Sequence, residues 1–143
     1  KATLKVKKQV ALTGEGWGLC FDGARLVQSD GSATLRFRDP RTFGQTGALT
    51  VTLDGKPLPQ VNELECAGGQ VWANVWPTTQ IVRINPASGR VTATVDASGL
   101  LTPAQEGGTD AMNGITWLGG DEFLLTGKYW PVMLRVRMVV PTG

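Results

Sequence analysis

Three stretches of the chain are variants of one pattern: Gly18-Leu-Cys-Phe-Asp-Gly23, Glu63-Leu-Glu-Cys-Ala-Gly-Gly69 and Gly114-Ile-Thr-Trp-Leu-Gly-Gly120. Each reads as a β-strand that ends in a tight glycine turn. The second stretch follows the first at a spacing of 45 residues, and the third follows the second at 51. A pattern that recurs at this spacing indicates a repeat architecture in which one supersecondary unit is used several times.

Alternating polar and apolar residues around these stretches predict further strands, so that one repeat comprises about four strands. The segment 99–111 is the one candidate for a short helix or an irregular loop. Four-stranded units at this spacing predict an all-β fold, a β-propeller of four-stranded antiparallel blades, and the chain length allows about three of them. A complete β-sandwich is the alternative. The alternating runs are Leu4–Lys7, Ala33–Arg38, Leu49–Leu53, Val71–Trp76, Val91–Val95 and Leu134–Arg137.

Three blades are too few to close a propeller, which needs about four to eight. We therefore expect residues 1–143 to form a partial β-propeller domain whose N-terminal blades are missing. The first ten residues alternate like a strand already in progress, which agrees with this expectation. The expected partners are the missing N-terminal blades or a complementary chain that supplies them.

Composition excludes several classes of function. The 143 residues include no histidine and two cysteines, so neither imidazole-dependent catalysis nor a four-ligand zinc site is expected, and we predict no metal and no cofactor. The formal net charge is +2, too small for a surface that tracks nucleic-acid phosphates, so no nucleic-acid partner is expected. No apolar run approaches the roughly 20 residues of a membrane helix, so no membrane partner is expected either.

The repeat also selects candidate functional residues, because equivalent positions of successive blades form rings near a propeller axis. Trp17, Asn62 and Asn113 occupy one such position, at the start of the innermost strand. Trp76 and Lys128 occupy another, at the end of the following strand. The alternatives are ordinary roles: a turn or strand-entry residue for each asparagine, a solvated loop residue for the lysine.

Two other aromatic residues and the two cysteines are predicted to be structural. Trp72 and Trp117 lie within alternating strands and are expected in the core. Cys20 and Cys66 lie on inner strands, where cysteines usually pack as small apolar residues, so two buried thiols are favoured over a disulfide, which stays the alternative.

Six spaced motifs carry a resemblance to a known family, the glutaminyl cyclases of plant and bacterial type. They follow one another in the family's order through nearly the whole chain. The motifs are Gly14-Glu-Gly-Trp-Gly-Leu19, Asn62-Glu-Leu-Glu65, Ala73-Asn-Val-Trp76, Ile84-Asn-Pro86, Asp110-Ala-Met-Asn-Gly-Ile115 and Gly127-Lys-Tyr-Trp-Pro131.

The resemblance implies a five-bladed propeller and an enzyme, a glutaminyl-peptide cyclotransferase. Such an enzyme converts the N-terminal glutamine of a peptide or protein to pyroglutamate with release of ammonia, without a metal. By position, the family's substrate-site residues fall on Trp17, Asn62, Trp76 and Lys128, with Asn62 and Lys128 as the catalytic pair. The tryptophans and Asn113 are then expected to bind substrate.

The resemblance further implies a catalytic glutamate in a segment that would precede Lys1, so the chain alone is expected to be inactive. It also suggests a periplasmic or secreted protein. Two alternatives remain: a propeller that binds a ligand or partner peptide without chemistry, and a purely structural repeat whose open flanks pair with another chain.

Overall fold

The computed structural model describes residues 3–139 as an all-β fold with a single short helix. Turns that contain glycine, aspartate or asparagine join most consecutive strands. The elements are β1 (Gly18–Phe21), β2 (Leu26–Ser29), β3 (Thr34–Arg38), β4 (Gln45–Thr50), β5 (Thr52–Leu53), β6 (Lys56–Pro57), β7 (Val61–Ala67), β8 (Gln70–Val75), β9 (Gln80–Ile84), β10 (Val91–Asp96), α1 (Pro103–Glu106), β11 (Met112–Gly119), β12 (Glu122–Gly127) and β13 (Leu134–Arg137).

The strands form the blades that the repeat predicts. Strands β1 to β4 make one four-stranded antiparallel sheet and β7 to β10 make a second, each with its strands in sequence order. Strands β11 to β13 make a third sheet, and β5 pairs with β6 in a small hairpin between the first two. We number these sheets blades 1, 2 and 3 in chain order. Blades 1 and 2 are thus four-stranded, and blade 3 has three strands within residues 3–139. The propeller prediction is confirmed and the sandwich alternative is wrong.

Two apolar layers hold the three blades together. The first lies between blades 1 and 2 and includes Val27, Leu35 and Leu64, which are at most 2% exposed. The second lies between blades 2 and 3 and includes Ile81 and Phe123, at most 1% exposed. Blade 2 therefore buries both faces, as a blade with two neighbours must.

One predicted strand is wrong. Residues 4–7 alternate in the sequence, but the structure gives them no strand, and the side chains of Leu4 and Val6 are exposed. Alternation describes a strand only when a neighbouring strand supplies backbone partners, and residues 3–10 pair with no strand in the part of the chain that the structure describes.

The predicted core position of Trp117 is also wrong, whereas that of Trp72 is confirmed. The Trp72 indole is 7% exposed and packs on Phe123 with ring centroids 5.0 Å apart. Trp117 is 39% exposed, and its Nε1 donates a hydrogen bond to the Gly120 carbonyl oxygen at 2.9 Å. It lies at the rim of the layer between blades 2 and 3, because it belongs to the last part of β11, beside the turn into β12.

The expectation of two free thiols is overturned by a disulfide between Cys20 and Cys66. Strands β1 and β7 approach each other closely enough to bring the two Cα atoms to 5.5 Å, within the range that a disulfide requires. Gly18 allows this approach, since a Cβ there would lie 2.3 Å from the Asn62 carbonyl oxygen and 2.9 Å from the Glu63 Cα. The sequence offset of the cysteines did not reveal a contact that depends on packing between blades.

Replacing both cysteines by serine should lower the free energy of unfolding. The bond links residues 46 positions apart, and a loop of this length predicts a loss of about 2 to 4 kcal/mol when the unfolded chain is no longer constrained. Urea unfolding of wild type and the double variant measures the difference. Equal midpoints would contradict the predicted stabilisation.

Within residues 3–139 no helix is long and apolar enough to cross a membrane. The same residues contain no group of three or more acidic or cysteine side chains arranged to hold a metal ion.

Candidate active site

The five residues that the repeat selects come together around one cavity. Its volume is about 360 Å³, within the usual range for small-ligand sites. We call it the ring cavity. Its wall consists of Trp17, Asn62, Trp76, Asn113 and Lys128.

Two β-bulges aim the asparagines at the ring cavity. Between the pairs Val61↔Val75 and Leu64↔Ala73, strand β7 has two residues where β8 has one. Strand β11 repeats this between Met112↔Gly127 and Ile115↔Leu125. The extra residue in each case lies at Asn62-Glu63 and at Asn113-Gly114, which are equivalent positions of the repeat. Bulges redirect side chains and often border active sites.

The backbone of Asn62 is fixed by blade 1. The hydroxyl of Ser29, which is fully buried, donates a hydrogen bond to the Asn62 carbonyl oxygen at 2.5 Å. The side chain of Asn62 is 5% exposed, and no residue in 3–139 hydrogen-bonds to it. The backbone is therefore held from one side while the side-chain amide keeps its donors and acceptor for a ligand.

Trp17 is held at three points. Its indole meets Trp76 edge to face, with ring centroids 5.9 Å apart and planes at 86°. Its Nε1 donates a hydrogen bond to a carboxylate oxygen of Glu15 at 2.6 Å. Its ring also lies against the backbone of Gly31. Two indoles therefore form a corner of the ring cavity that is rigid and apolar.

Trp76 and Lys128 are placed by equivalent backbone hydrogen bonds. The Trp76 N–H donates to the carbonyl oxygen of Gln60 at 2.9 Å, and the Lys128 N–H donates to that of Ala111 at 3.0 Å. Each bond ties the end of a blade's second strand to the residues that lead into its first strand. The side chains at these two ends therefore share a position around the cavity, although one is an indole and the other an ammonium.

Lys128 is the charged residue among the five that line the ring cavity. Lys128 is exposed and forms no ion pair with any residue from 3 to 139. The nearest acid along β7 is Glu63, beside Asn62 in the bulge. Burial raises the pKa of Glu63, and the neighbouring Glu65 carboxylate raises it further. Neither glutamate lines the ring cavity.

The arrangement can hold a small amide group and stabilise negative charge on its oxygen. A carboxamide side chain fits against the corner that the two indoles form, which restricts its rotation, and the Asn62 amide can donate to its carbonyl oxygen. The Lys128 ammonium adds charge stabilisation at the same place. No acid is among the five wall residues, so a proton shuttle has to come from outside this set.

Sequence reasoning missed the residues that support the wall. Ser29 and Gly31 lie outside the six motifs, at the end of β2 and in the turn that follows it. Asn74 belongs to the motif Ala73-Asn-Val-Trp76 but was not selected as a site residue. Asn74 lies opposite the Asn62-Glu63 bulge, fully buried, and its side-chain amide finds no hydrogen-bond partner in the part of the chain that the structure describes. A polar residue in the middle of the run Val71–Trp76 was the signal that could have drawn attention to it.

Gly31→Ala should displace Trp17. A Cβ at Gly31 would lie 2.6 to 2.8 Å from three indole atoms of Trp17, so the ring must move. Near-ultraviolet circular dichroism should report the loss of the Trp17–Trp76 contact. Gly55→Ala is the matched control, because Gly55 has φ of 77° against 79° at Gly31 but open space around it. Equal spectra for the two variants would contradict the packing described.

Comparison with known proteins gives a consistent result. The sequence model of one family, described as glutamine cyclotransferase, matches residues 1–138. A curated relative from Arabidopsis thaliana, a glutaminyl-peptide cyclotransferase, is 38% identical over 128 residues, which are 87% of this chain and 40% of the relative.

Solved structures give the same answer at the level of the fold. The Myxococcus xanthus glutaminyl cyclase superposes with a TM-score of 0.86 at 40% identity, over 95% of this chain and 60% of that one. Kluyveromyces lactis Hsv2 superposes with a TM-score of 0.58 at 8% identity, over 90% of this chain and 34% of that one, a likeness of fold alone. The chain thus spans less than two thirds of the two relatives that it resembles in sequence.

Proposed function

Because the chain belongs to the glutamine cyclotransferase family, we propose that it forms the substrate site of a glutaminyl-peptide cyclotransferase. Its substrates are peptides and proteins with an N-terminal glutamine, and its products are the pyroglutamyl chain and ammonia. The observation that carries the proposal is the ring cavity, because the five residues that line it are the ones selected by the repeat.

The reaction joins two ends of one residue. The α-amine nitrogen of the glutamine attacks its own side-chain carboxamide carbon, so that a C–N bond forms and closes a five-membered ring. The bond from that carbon to the amide nitrogen breaks, and the nitrogen leaves as ammonia after receiving a proton that the amine loses. The carboxamide oxygen carries negative charge in the tetrahedral intermediate.

The wall residues supply what this reaction needs from its site. Trp17 and Trp76 confine a flexible side chain to a folded conformation, which brings amine and carbonyl carbon together. Asn62 donates to the developing oxyanion, and Lys128 stabilises its charge. Asn113, across the ring cavity, can bond the peptide part of the substrate. The proton shuttle is a carboxylate from outside these five, and we propose that it belongs to further blades of the full-length protein.

The test is release of ammonia from a short peptide with N-terminal glutamine by the full-length protein. Activity is expected without added metal and should survive a chelator, since the residues that line the ring cavity include no histidine, cysteine or acid. A peptide with N-terminal asparagine is the control, because its shorter side chain would have to close a four-membered ring. Binding of the glutaminyl peptide without ammonia release would favour a non-catalytic binding propeller instead.

Lys128→Ala should lower kcat more than it raises KM. A charge that meets only the oxyanion stabilises the transition state and leaves ground-state binding nearly unchanged. Steady-state kinetics with a glutaminyl peptide separates the two constants, and Lys128→Arg, which keeps the charge, should retain more activity than the alanine variant. A rise in KM alone would assign Lys128 to substrate binding.

We also propose that the protein works in an oxidising compartment, the periplasm or the extracellular space. The support is the Cys20–Cys66 disulfide, since such bonds persist in oxidising environments and are rare in the cytosol. Mass spectrometry of alkylated protein from its native source tests this, and free thiols at both positions would contradict it.

A further inference from the structure

A second cavity adjoins the ring cavity and is not used by the chemistry above. Its volume is about 310 Å³, and it is an open cavity bordered by the turn after β8, the connection from β10 to β11 and the indole of Trp130. We call it the side cavity. Its apolar wall includes Leu100 and Trp130, and its two charged residues are the acids Glu106 and Asp110.

Three links join the side cavity to the ring cavity. Pro77 in its wall follows Trp76 in the chain, and Met112 precedes Asn113. The third link is a pair of backbone hydrogen bonds: the Asp110 N–H donates to the Lys128 carbonyl oxygen at 2.9 Å, and the Lys128 N–H donates to Ala111. Each of three wall residues of the ring cavity is thus joined to a wall residue of the side cavity, by a peptide bond at Trp76 and Asn113 and by backbone hydrogen bonds at Lys128.

We infer that the side cavity binds the residue that follows the N-terminal glutamine of the substrate, and that it favours lysine or arginine there. This inference rests on the proposed function. When the glutamine side chain occupies the ring cavity, the rest of the peptide must extend out of that cavity. The side cavity is joined to three wall residues of the ring cavity, so it is within reach of the side chain that follows the glutamine.

The wall of the side cavity decides the type of side chain. A lysine or arginine has an apolar stem, which can pack on Leu100 and on the Trp130 ring, and a cationic end, which can meet Glu106 and Asp110. Trp130 is fixed for such a contact, because its Nε1 donates to the Asp110 carbonyl oxygen at 3.1 Å and its ring lies against Gly127. A glutamate at the same place would face two carboxylates.

The local backbone keeps Glu106 at the cavity. It is the last residue of α1, whose first turn is held by hydrogen bonds from the Thr102 N–H to the Gln105 side chain and from the Gln105 N–H to the Thr102 carbonyl oxygen. The Thr109 hydroxyl donates to the Glu106 carbonyl oxygen at 2.8 Å. The carboxylate of Glu106 is exposed and forms no ion pair with any residue that the structure describes.

The experiment compares glutamine amide, which cannot reach the side cavity, with three peptides in which lysine, leucine or glutamate follows the glutamine. In the full-length wild type the lysine peptide should have the highest kcat/KM and the glutamate peptide the lowest. Glu106→Gln should reduce the preference for lysine over glutamate by about two- to five-fold, the range for an exposed charge pair. Leu100→Ala should weaken the lysine and leucine peptides by about three- to ten-fold through KM.

Both variants should turn over glutamine amide at the wild-type rate, which also shows that they fold. Asp54→Asn removes one negative charge at the turn between β5 and β6, at a residue that lines neither cavity, and should change nothing. The inference is overturned if the three peptides react alike in the wild type, or if Glu106→Gln leaves the order of the peptides unchanged. Failure to turn over glutamine amide would overturn the proposed function itself and the inference with it.

Discussion

Asn62→Ala should reduce kcat for a glutaminyl peptide by about 100-fold or more in the full-length protein, the usual cost of removing one oxyanion donor. The variant should fold, because the interaction that blade 1 makes with this residue goes to its backbone: the Ser29 hydroxyl bonds the Asn62 carbonyl oxygen, which alanine keeps. The loss should therefore appear in turnover rather than in thermal stability.

Asn113→Ala is the matched comparison for this prediction. Asn113 occupies the equivalent bulge of the next blade, but its side chain is half-buried whereas that of Asn62 is 5% exposed. Its removal should raise KM several-fold with a smaller change in kcat. If Asn62→Ala retains activity within a few-fold of wild type, or if the two variants behave alike, the assignment of Asn62 to the oxyanion is wrong.

Trp72→Ala should lower the free energy of unfolding by about 3 to 5 kcal/mol, because it leaves a large void in the layer between blades 2 and 3. Trp72 packs on Phe123 there, and both residues are buried. Chemical unfolding followed by circular dichroism measures the change.

Trp117→Ala is the control for this prediction, since it removes the same side chain from the rim of the same layer. The 39% exposed indole and its single hydrogen bond to Gly120 should be worth about 1 kcal/mol. A loss at Trp117 as large as the loss at Trp72 would contradict the position that the structure gives it.

The fold and the ring cavity could be predicted because both follow from the repeat. Equivalent positions in successive blades have equivalent places around the axis. The spacing of 45 and 51 residues was therefore enough to predict that Trp17, Asn62 and Asn113 lie close together. The same reasoning predicted that Trp76 and Lys128 occupy equivalent positions around the axis. No knowledge of side-chain packing was needed for this step.

The errors arose where the answer depends on distance between blades. Cys20 and Cys66 are not exact repeat equivalents, and only the close approach of β1 and β7 at Gly18 shows that they can bond. Trp117 follows the alternation of a buried strand, but its place at the end of β11 puts it at the rim. Residues 4–7 alternate, but no strand within residues 3–139 pairs with them, and alternation alone does not show whether a partner strand is present.

The paired bulges at Asn62-Glu63 and Asn113-Gly114 have a consequence for how such a site can change. The bulge is present in blades 2 and 3 and presents an asparagine in each, whereas blade 1 places the indole of Trp17 at the corresponding position, just before a strand whose pairing with β2 is regular. Each blade thus places one side chain at the ring cavity from the start of its first strand, and two different backbone geometries serve for it. The chemistry of such a site can therefore be changed by substituting single side chains at these positions, while the hydrogen-bonded backbone of each blade stays the same.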